Sequence, residues 1–332
     1  MEEEVFNLSN IFNFDNVEFK NKIIYVNKLP IGIIQPSSIF GISKENYYIS
    51  GTNGIYSIDK KSSAEEIIRN LINSGSIVFG SSEEIIEETI NILKKPMLSR
   101  TSSYLLSILK NCDEFIKVIE KIENAKIAIV GCGGIGSLSA MTLAGSGIKN
   151  ILLIDGDIIE ESNLNRQFFW NRDDIGQKKV VVLSREIEKR YTKCNCTYID
   201  LMTKIEDILK IIEETDLVVL SADEPIGISS IIEQKIKQLK SNTSIIHSGY
   251  VGSNLGISLY NKNNDFLENN LEQIDWIRHS DFIAPSYGAS NVELAGVLSF
   301  LAISKIAGLK IIDNFKIIWD SRNFPRKYVY KD

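Results

Sequence analysis

The sequence predicts an α/β protein: a doubly wound, mostly parallel sheet with a small α+β domain in front of it. Three observations predict it. First, an apolar, β-branched run from Ile127 to Val130 breaks into glycines at Gly131, Gly133, Gly134 and Gly136. It continues as a helical pattern from about Ser137 to Ser146 and returns to an apolar run, Ile151 to Ile154, closed by Asp155. Second, apolar runs alternate with helical patterns beyond that point, as in parallel strands joined by helices. Third, the residues ahead of it give short strand patterns followed by helices, as in a compact α+β module.

The glycine segment has the order strand, turn, helix, strand, acid of a Rossmann-like nucleotide-binding unit. Gly131 permits the tight turn, Gly133 lets the backbone approach a phosphate, and Gly136 lets the helix pack closely on the strand. The helix N-terminus offers free N–H groups and partial positive charge to an anion. Asp155 stands where a carboxylate can accept from a ribose hydroxyl. An inert glycine turn is the structural alternative. The flanking strands and the acid roughly 20 residues on favour a nucleotide.

The chain has 332 residues, enough for about two domains. The expected division is residues 1–95, a peptide-clamp or winged-helix-like module, and residues 96–332, the nucleotide-binding domain. With 44% hydrophobic and 24% charged residues, the composition is that of an ordinary globular protein. A formal charge of −6 argues against a general nucleic-acid or membrane-surface binder. The N-terminus opens acidic, Glu2 to Glu4, with no signal-peptide pattern, and the longest apolar runs fall short of the ~20 residues of a bilayer span. The expected location is therefore cytoplasmic.

In chain order, Lys22 to Val26 and Ile31 to Ile34 are strand candidates. Tyr47 to Ser50 and Ile55 to Ile58 flank the turn-forming Gly51-Thr-Asn-Gly54. Ser63-Ala-Glu-Glu66 and Ser81-Ser-Glu-Glu84 each open a helix with capping-box chemistry. Pro96 breaks the pattern, Arg100 follows it, and one helix is expected from Tyr104 to about Glu123. After Asp155 and Asp157 comes the polar stretch Glu160 to Gln167, which carries Asn163, Arg166 and Gln167. Asp173 to Lys179 opens a helix, and Asp216 to Leu220 is a buried strand ending in Ser221-Ala-Asp223. Ser244 to His247 is another strand, and Asn291 to Ile306 an apolar helix. Ligands of such sheets bind beyond the carboxyl ends of the strands, so the glycine loop, Asp155 and Asp223 should converge there.

These residues resemble a known family. The glycine loop, Asp155, Ser162-Asn-Leu-Asn-Arg-Gln167, Gly176 to Lys179 and Ser221-Ala-Asp223 are similar to the ThiF/MoeB family, which includes the adenylation domains of ubiquitin-activating enzymes. The phrases Val219 to Pro225, Ser248 to Val251 and Ile283 to Pro285 resemble its peptide-activating branch, in which an N-terminal clamp holds the peptide. The resemblance implies ATP-dependent adenylation of the C-terminal carboxylate of a short ribosomal peptide, with release of pyrophosphate, in peptide-antibiotic maturation. It places Asp155 on the ribose, Arg166 and Lys179 on the triphosphate and Mg²⁺ on Asp223. Asn163 and Gln167 orient phosphate or metal-bound water, and Gly134 and Asp157 complete the nucleotide-binding set. It implies a homodimer in which Arg100 reaches the partner's site. The residue types suit the chemistry, since attack of a carboxylate on the α-phosphorus needs charge neutralisation and in-line positioning rather than a protein nucleophile. CTP in place of ATP stays open, because these motifs address phosphate and ribose and not the base.

Bland alternatives exist: Lys179 as a solvated helix lysine like Lys178, Arg166 as a surface salt-bridge residue, and Asp223 as a helix N-cap. Their joint occurrence in family order favours function. His247 and His279 have no assignable role, and Trp170, Trp276 and Trp319 suit core or interface positions. The sequence also departs from the family. Its cysteines are Cys112, Cys132, Cys194 and Cys196, with no C-x-x-C pair, so no zinc site is expected. No cysteine lies in the loop expected at about residues 258–282, which speaks against thioester or persulfide chemistry. Activation of a ubiquitin-like sulfur carrier and a non-catalytic leader-peptide scaffold are the rival functions.

Overall fold

The computed structural model describes residues 16–201, 204–263, 285–309 and 314–331. The expectations placed on Glu2 to Glu4, Trp276, His279 and Ile283 lie outside these residues. The chain divides into two compact units, residues 1–120 and 121–332; the boundary expected at 95/96 falls inside the first.

The first unit holds two antiparallel sheets. Strands β1 (Val17–Lys20), β2 (Ile23–Val26), β3 (Leu29–Ile34) and β7 (Ile77–Phe79) form one, and β4 (Ile39–Ile42), β5 (Asn46–Gly51) and β6 (Gly54–Asp59) the other. Gly51 pairs with Gly54 across the expected hairpin turn. Helix α1 (Ala64–Asn73) starts where read, with Ser63 Oγ accepting from Glu66 N at 3.3 Å. Helix α2 (Glu83–Leu93) starts at Ser82. Ile24, Ile49, Ile58, Ile67 and Leu71 form the core between them. The single helix expected from Tyr104 to Glu123 is two, α3 (Ser99–Leu109) and α4 (Cys112–Asn124). Lys110 ends α3 in the left-handed region at φ 59°, and Asn111 Oδ1 then accepts from Glu114 N at 3.0 Å to start the next helix.

The second unit is built on an eight-stranded sheet. Five strands run parallel in the order β10 (Asn195–Ile199), β9 (Asn150–Ile154), β8 (Lys126–Val130), β11 (Leu217–Leu220) and β12 (Ser244–Val251). Antiparallel β13 (Asn254–Tyr260), β14 (Phe315–Asp320) and β15 (Val329–Lys331) extend it. Ser258 to Tyr260 therefore belong to a strand and not to the loop expected from residue 258. Helices α7 (Ile205–Glu213) and α8 (Ile228–Lys235) cover the sheet face bearing Ala128, Val130, Val218, Leu220 and Ile245. Helix α5 (Gly134–Gly145) packs beside α9 (Gly288–Ala307), and α6 (Lys179–Arg190) leads into β10. The chain leaves β8 toward β9 and β10, then returns to the other side of β8 with β11. The strand order reverses at the carboxyl ends of β8 and β11, which is where a ligand crevice forms in such sheets.

Helix α9 corrects one expectation. Its 20 residues are long and apolar enough, by length and composition, to cross a membrane. Here Leu294, Ala295, Leu298 and Ala302 are buried in the core, and the helix lies against α5.

Candidate functional site

A cleft of about 1280 Å³ opens at the strand-order reversal, within residues 121–332. Its floor is the glycine loop. Gly131 has φ +89°, and a Cβ there would lie 2.5 Å from Ala222 N. A Cβ on Gly136 would lie 1.8 Å from Gly131 O and 2.6 Å from Ser221 Oγ. Ser221 Oγ in turn donates to Gly131 O at 2.8 Å, so Ser221-Ala-Asp223 buttresses the loop from the next strand. Gly133 is the N-cap of α5, and no side chain caps that helix end among the described residues. Its first-turn N–H groups are left to the cleft, which makes the helix end an anion site.

The acids are held by backbone. Asp155 Oδ2 accepts from Cys132 N at 2.6 Å and Oδ1 from Asp157 N at 2.8 Å. Both oxygens keep a further lone pair for a ribose hydroxyl. Burial raises the Asp155 pKa, opposed by the Lys179 charge and the two N–H groups. Lys179, the first residue of α6, is 7% exposed, and its Nζ lies 2.7 Å from Asp157 Oδ2. Lys178 turns elsewhere: its Nζ meets Gly156 O and Asp200 Oδ1, each at 2.9 Å, so it is not the freely solvated lysine of the sequence reading.

The polar stretch after β9 forms a short 3₁₀ turn, Glu161–Asn163, closed by a reciprocal Glu160–Asn163 capping box. Asn163 is buried and its Oδ1 accepts from Glu160 N at 3.2 Å, so its amide shapes the loop on which Arg166 and Gln167 sit. Arg166 lines the cleft with its guanidinium folded onto its own loop, Nη1 donating to Ser162 O at 2.6 Å and Asn165 Oδ1 at 3.1 Å. Gln167 is 3% exposed, and its Oε1 has no hydrogen-bond partner among the described residues. Asp223 is exposed on the cleft wall. It does not cap α8; Gly227, at φ 81°, is the N-cap.

The cleft thus brings together Gly131, Gly133, Gly134, Asp155, Asp157, Asn163, Arg166, Gln167, Lys179 and Asp223, with Gly136 packed beneath. Arg100 is exposed in the first turn of α3, in the other unit. Three further wall residues, His247, Ser286 and Asn291, carried no motif in the sequence, and a fourth, Tyr250, lies in the phrase Ser248 to Val251 without having been given a role. Burial and, less, the Lys316 charge lower the His247 pKa to about 4.

The donor set fits a nucleoside triphosphate: a bare helix end, an orphaned buried amide, a buried lysine and a carboxylate braced for a ribose. Among the described residues no group of three or more His, Cys, Asp or Glu gathers as a metal cluster. A cation here would take Asp223 plus phosphate oxygens, which suits Mg²⁺. The four cysteines are free and buried, and burial raises the Cys112, Cys132, Cys194 and Cys196 thiols above their ordinary value.

Comparison with known proteins gives the same picture. A NEDD8-activating enzyme E1 catalytic subunit of Dictyostelium discoideum is 46% identical over 72 residues, 22% of this chain and 16% of that protein. A probable molybdopterin-synthase adenylyltransferase of Porphyra purpurea is 33% identical over 104 residues, 31% of this chain and 27% of that protein. The chain therefore spans well under two thirds of either relative. Among solved structures, E. coli MccB with AMPCPP and MccA superposes at a TM-score of 0.68 with 22% identity, over 91% of this chain and 96% of that one, a likeness of fold. The ThiF family matches residues 109–323, which hold the glycine loop, Asp155, Arg166, Lys179 and Asp223. With the match covering well over half of the chain and the site built from its residues, this protein belongs to the ThiF family.

Proposed function

We propose that this protein is an ATP-dependent adenylyltransferase that activates the C-terminal carboxylate of a short ribosomally made peptide in natural-product maturation. The observation that carries the reading is the convergence of an uncapped helix end, Asp155, Lys179, Arg166 and Asp223 on one cleft. A peptide carboxylate oxygen attacks the α-phosphorus. The new O–P bond forms as the bond to the bridging oxygen breaks, and pyrophosphate leaves with that electron pair, giving an acyl adenylate. Lys179, released from Asp157, and Arg166, unfolded from its loop, neutralise the phosphate charge. Asp223 would hold Mg²⁺, which would supply further charge neutralisation when bound. Asp155 fixes the ribose.

The fold shared with MccB, solved with ATP and with MccA, supports the peptide reading. Residues 1–95 serve as the peptide-gripping module, with antiparallel strands whose edges a peptide can join. A cytoplasmic homodimer in which Arg100 completes the partner's site belongs to the same proposal and is supported by the exposure of Arg100. The molybdopterin-synthase relative favours a second reading, activation of a ubiquitin-like carrier. The buried state of all four thiols weighs against a thioester step on this chain.

The test is NTP–pyrophosphate exchange by the purified protein, with ATP and CTP, against short peptides encoded beside its gene. Peptide-dependent exchange that Lys179→Ala and Asp223→Ala each reduce at least about a thousandfold is expected. Exchange driven only by a ubiquitin-like protein would replace the peptide reading with the second one. Tight peptide binding without exchange would leave a scaffold.

A further inference from the structure

We infer that Asn291, at the start of α9, is a phosphate-binding residue of the triphosphate site, held in place by a hydrogen-bond chain from Tyr250 through Ser286. This rests on the adenylyltransferase reading.

Asn291 is 2% exposed and faces the cleft. A primary amide has two donors and two acceptor sites, and burying them unpaired is costly. Yet the one hydrogen bond the Asn291 side chain makes among the described residues is long, Nδ2 to Ser286 Oγ at 3.5 Å. Its position explains why the amide stays open. A Cβ on Gly134 would lie 2.1 Å from Asn291 Nδ2, so the amide rests on the first residue of α5, at the positive end of that helix. Gly134 is not one of the three glycines that the turn, the phosphate approach and the helix packing call for, and it leaves the Asn291 amide the space that a Cβ would take.

Gln167 lies beside the neighbouring glycine, at ordinary contact distance. A Cβ on Gly133 would lie 3.8 Å from Gln167 Nε2, and Gln167 Oε1 is buried without a partner among the described residues. Two under-bonded buried amides thus flank one bare helix end. Amide N–H groups there suit the oxygens of a phosphate chain, which carry negative charge and accept several bonds at once.

Asn291 is also tied to the far end of the cleft. Tyr250, at the end of β12, has its hydroxyl 2.6 Å from Ser286 Oγ, and Ser286 touches Asn291. A substrate settling against Tyr250 would press on a chain that ends at the phosphates. Tyr250 and Ser286 are positioning residues in this account.

The test is calorimetric titration of the intact protein with ATP plus Mg²⁺ and, separately, with adenosine. Asn291→Leu should weaken ATP about tenfold or more, the size of a lost hydrogen bond to a charged group. It should leave adenosine affinity unchanged, because base and ribose do not reach α5's first turn. Tyr250→Phe should weaken ATP about two- to fivefold with adenosine again unaffected; it decides the matter if Asn291→Leu melts with the unfolded chain. Unchanged ATP affinity in both variants overturns the inference. So does an equal loss for adenosine and ATP, the mark of a general distortion. Wild-type protein that binds neither ATP nor CTP overturns the adenylyltransferase reading itself, and this inference with it.

Discussion

The two ends of the cleft are built by different means. The phosphate end is made of backbone: a left-handed Gly131, a helix that starts without a cap, and an Asp155 carboxylate braced by two N–H groups, all from the run Lys126 to Asp157. The opposite end is made of side chains from separated segments, His247 and Tyr250 on β12 and Ser286 ahead of α9, and Asn291 within α9 joins it to the first turn of α5. Backbone geometry demands particular residues at fixed spacing and leaves a motif. Side-chain assembly demands only that some polar group arrive, and of these residues Tyr250 alone lay in a phrase that the sequence singled out. In the proposed reaction, the first end would take the nucleotide phosphates and the second would face the acceptor.

The largest expected effect lies at the backbone end. Gly136→Val places carbon where Gly131 O stands, and should cost about 3 kcal/mol or more, read as a fall in Tm. An unchanged Tm would mean that the helix is free to move off the strand and that the phosphate end is not rigid. Next is the frame of the side-chain end. Glu293 on α9 accepts from Trp319 Nε1 at 2.8 Å and from Arg326 Nε and Nη2 at 2.7 and 2.9 Å. Glu293→Gln should cost about 1–3 kcal/mol in denaturant unfolding; no loss would show that α9 is held by its apolar face alone.

An effect of comparable size is confined to acid pH. His247 titrates at about 4 in the folded chain, against an ordinary value of 6.5. As pH falls through that window the unfolded chain takes up the proton first, so stability is lost between about 6.5 and 4, by about 1–3 kcal/mol. His247→Gln should flatten Tm against pH in that window; an unaltered slope would place the ring in water. The smallest effect is a lack of reaction. With all four thiols buried and raised, a disulfide reagent should label none of them in the native protein and all four after unfolding. Rapid native labelling of Cys132 would mean that the glycine loop opens.

Much of this was legible beforehand, for physical reasons. Gly131, Gly133, Gly136 and Asp155 stand out because nothing else fits their backbone or their bracing. Gly134 was read as part of the loop, and the structure sets it against Asn291, an amide within an otherwise apolar helical pattern. The single helix expected up to Glu123 failed at Lys110, since a left-handed lysine gives no glycine-like signal. Strand β14 went unread because its partner β13 lies far back in the chain, whereas β13 is a local hairpin partner of β12 across Gly252 and Ser253 and was missed despite that turn. Asn163 was assigned to phosphate or metal-bound water, and in the structure it ties its own turn together.

The clamp on Glu293 has a practical consequence for anyone trimming the gene. The family match ends at residue 323. A protein expressed to that boundary would keep every motif of the nucleotide site, yet lack Arg326, which binds both Glu293 oxygens and the carbonyls of Ser321 and Asn323. Such a fragment would look whole in an alignment while its α9 had lost an anchor, and weak activity from it would reflect where the cloning primer was placed.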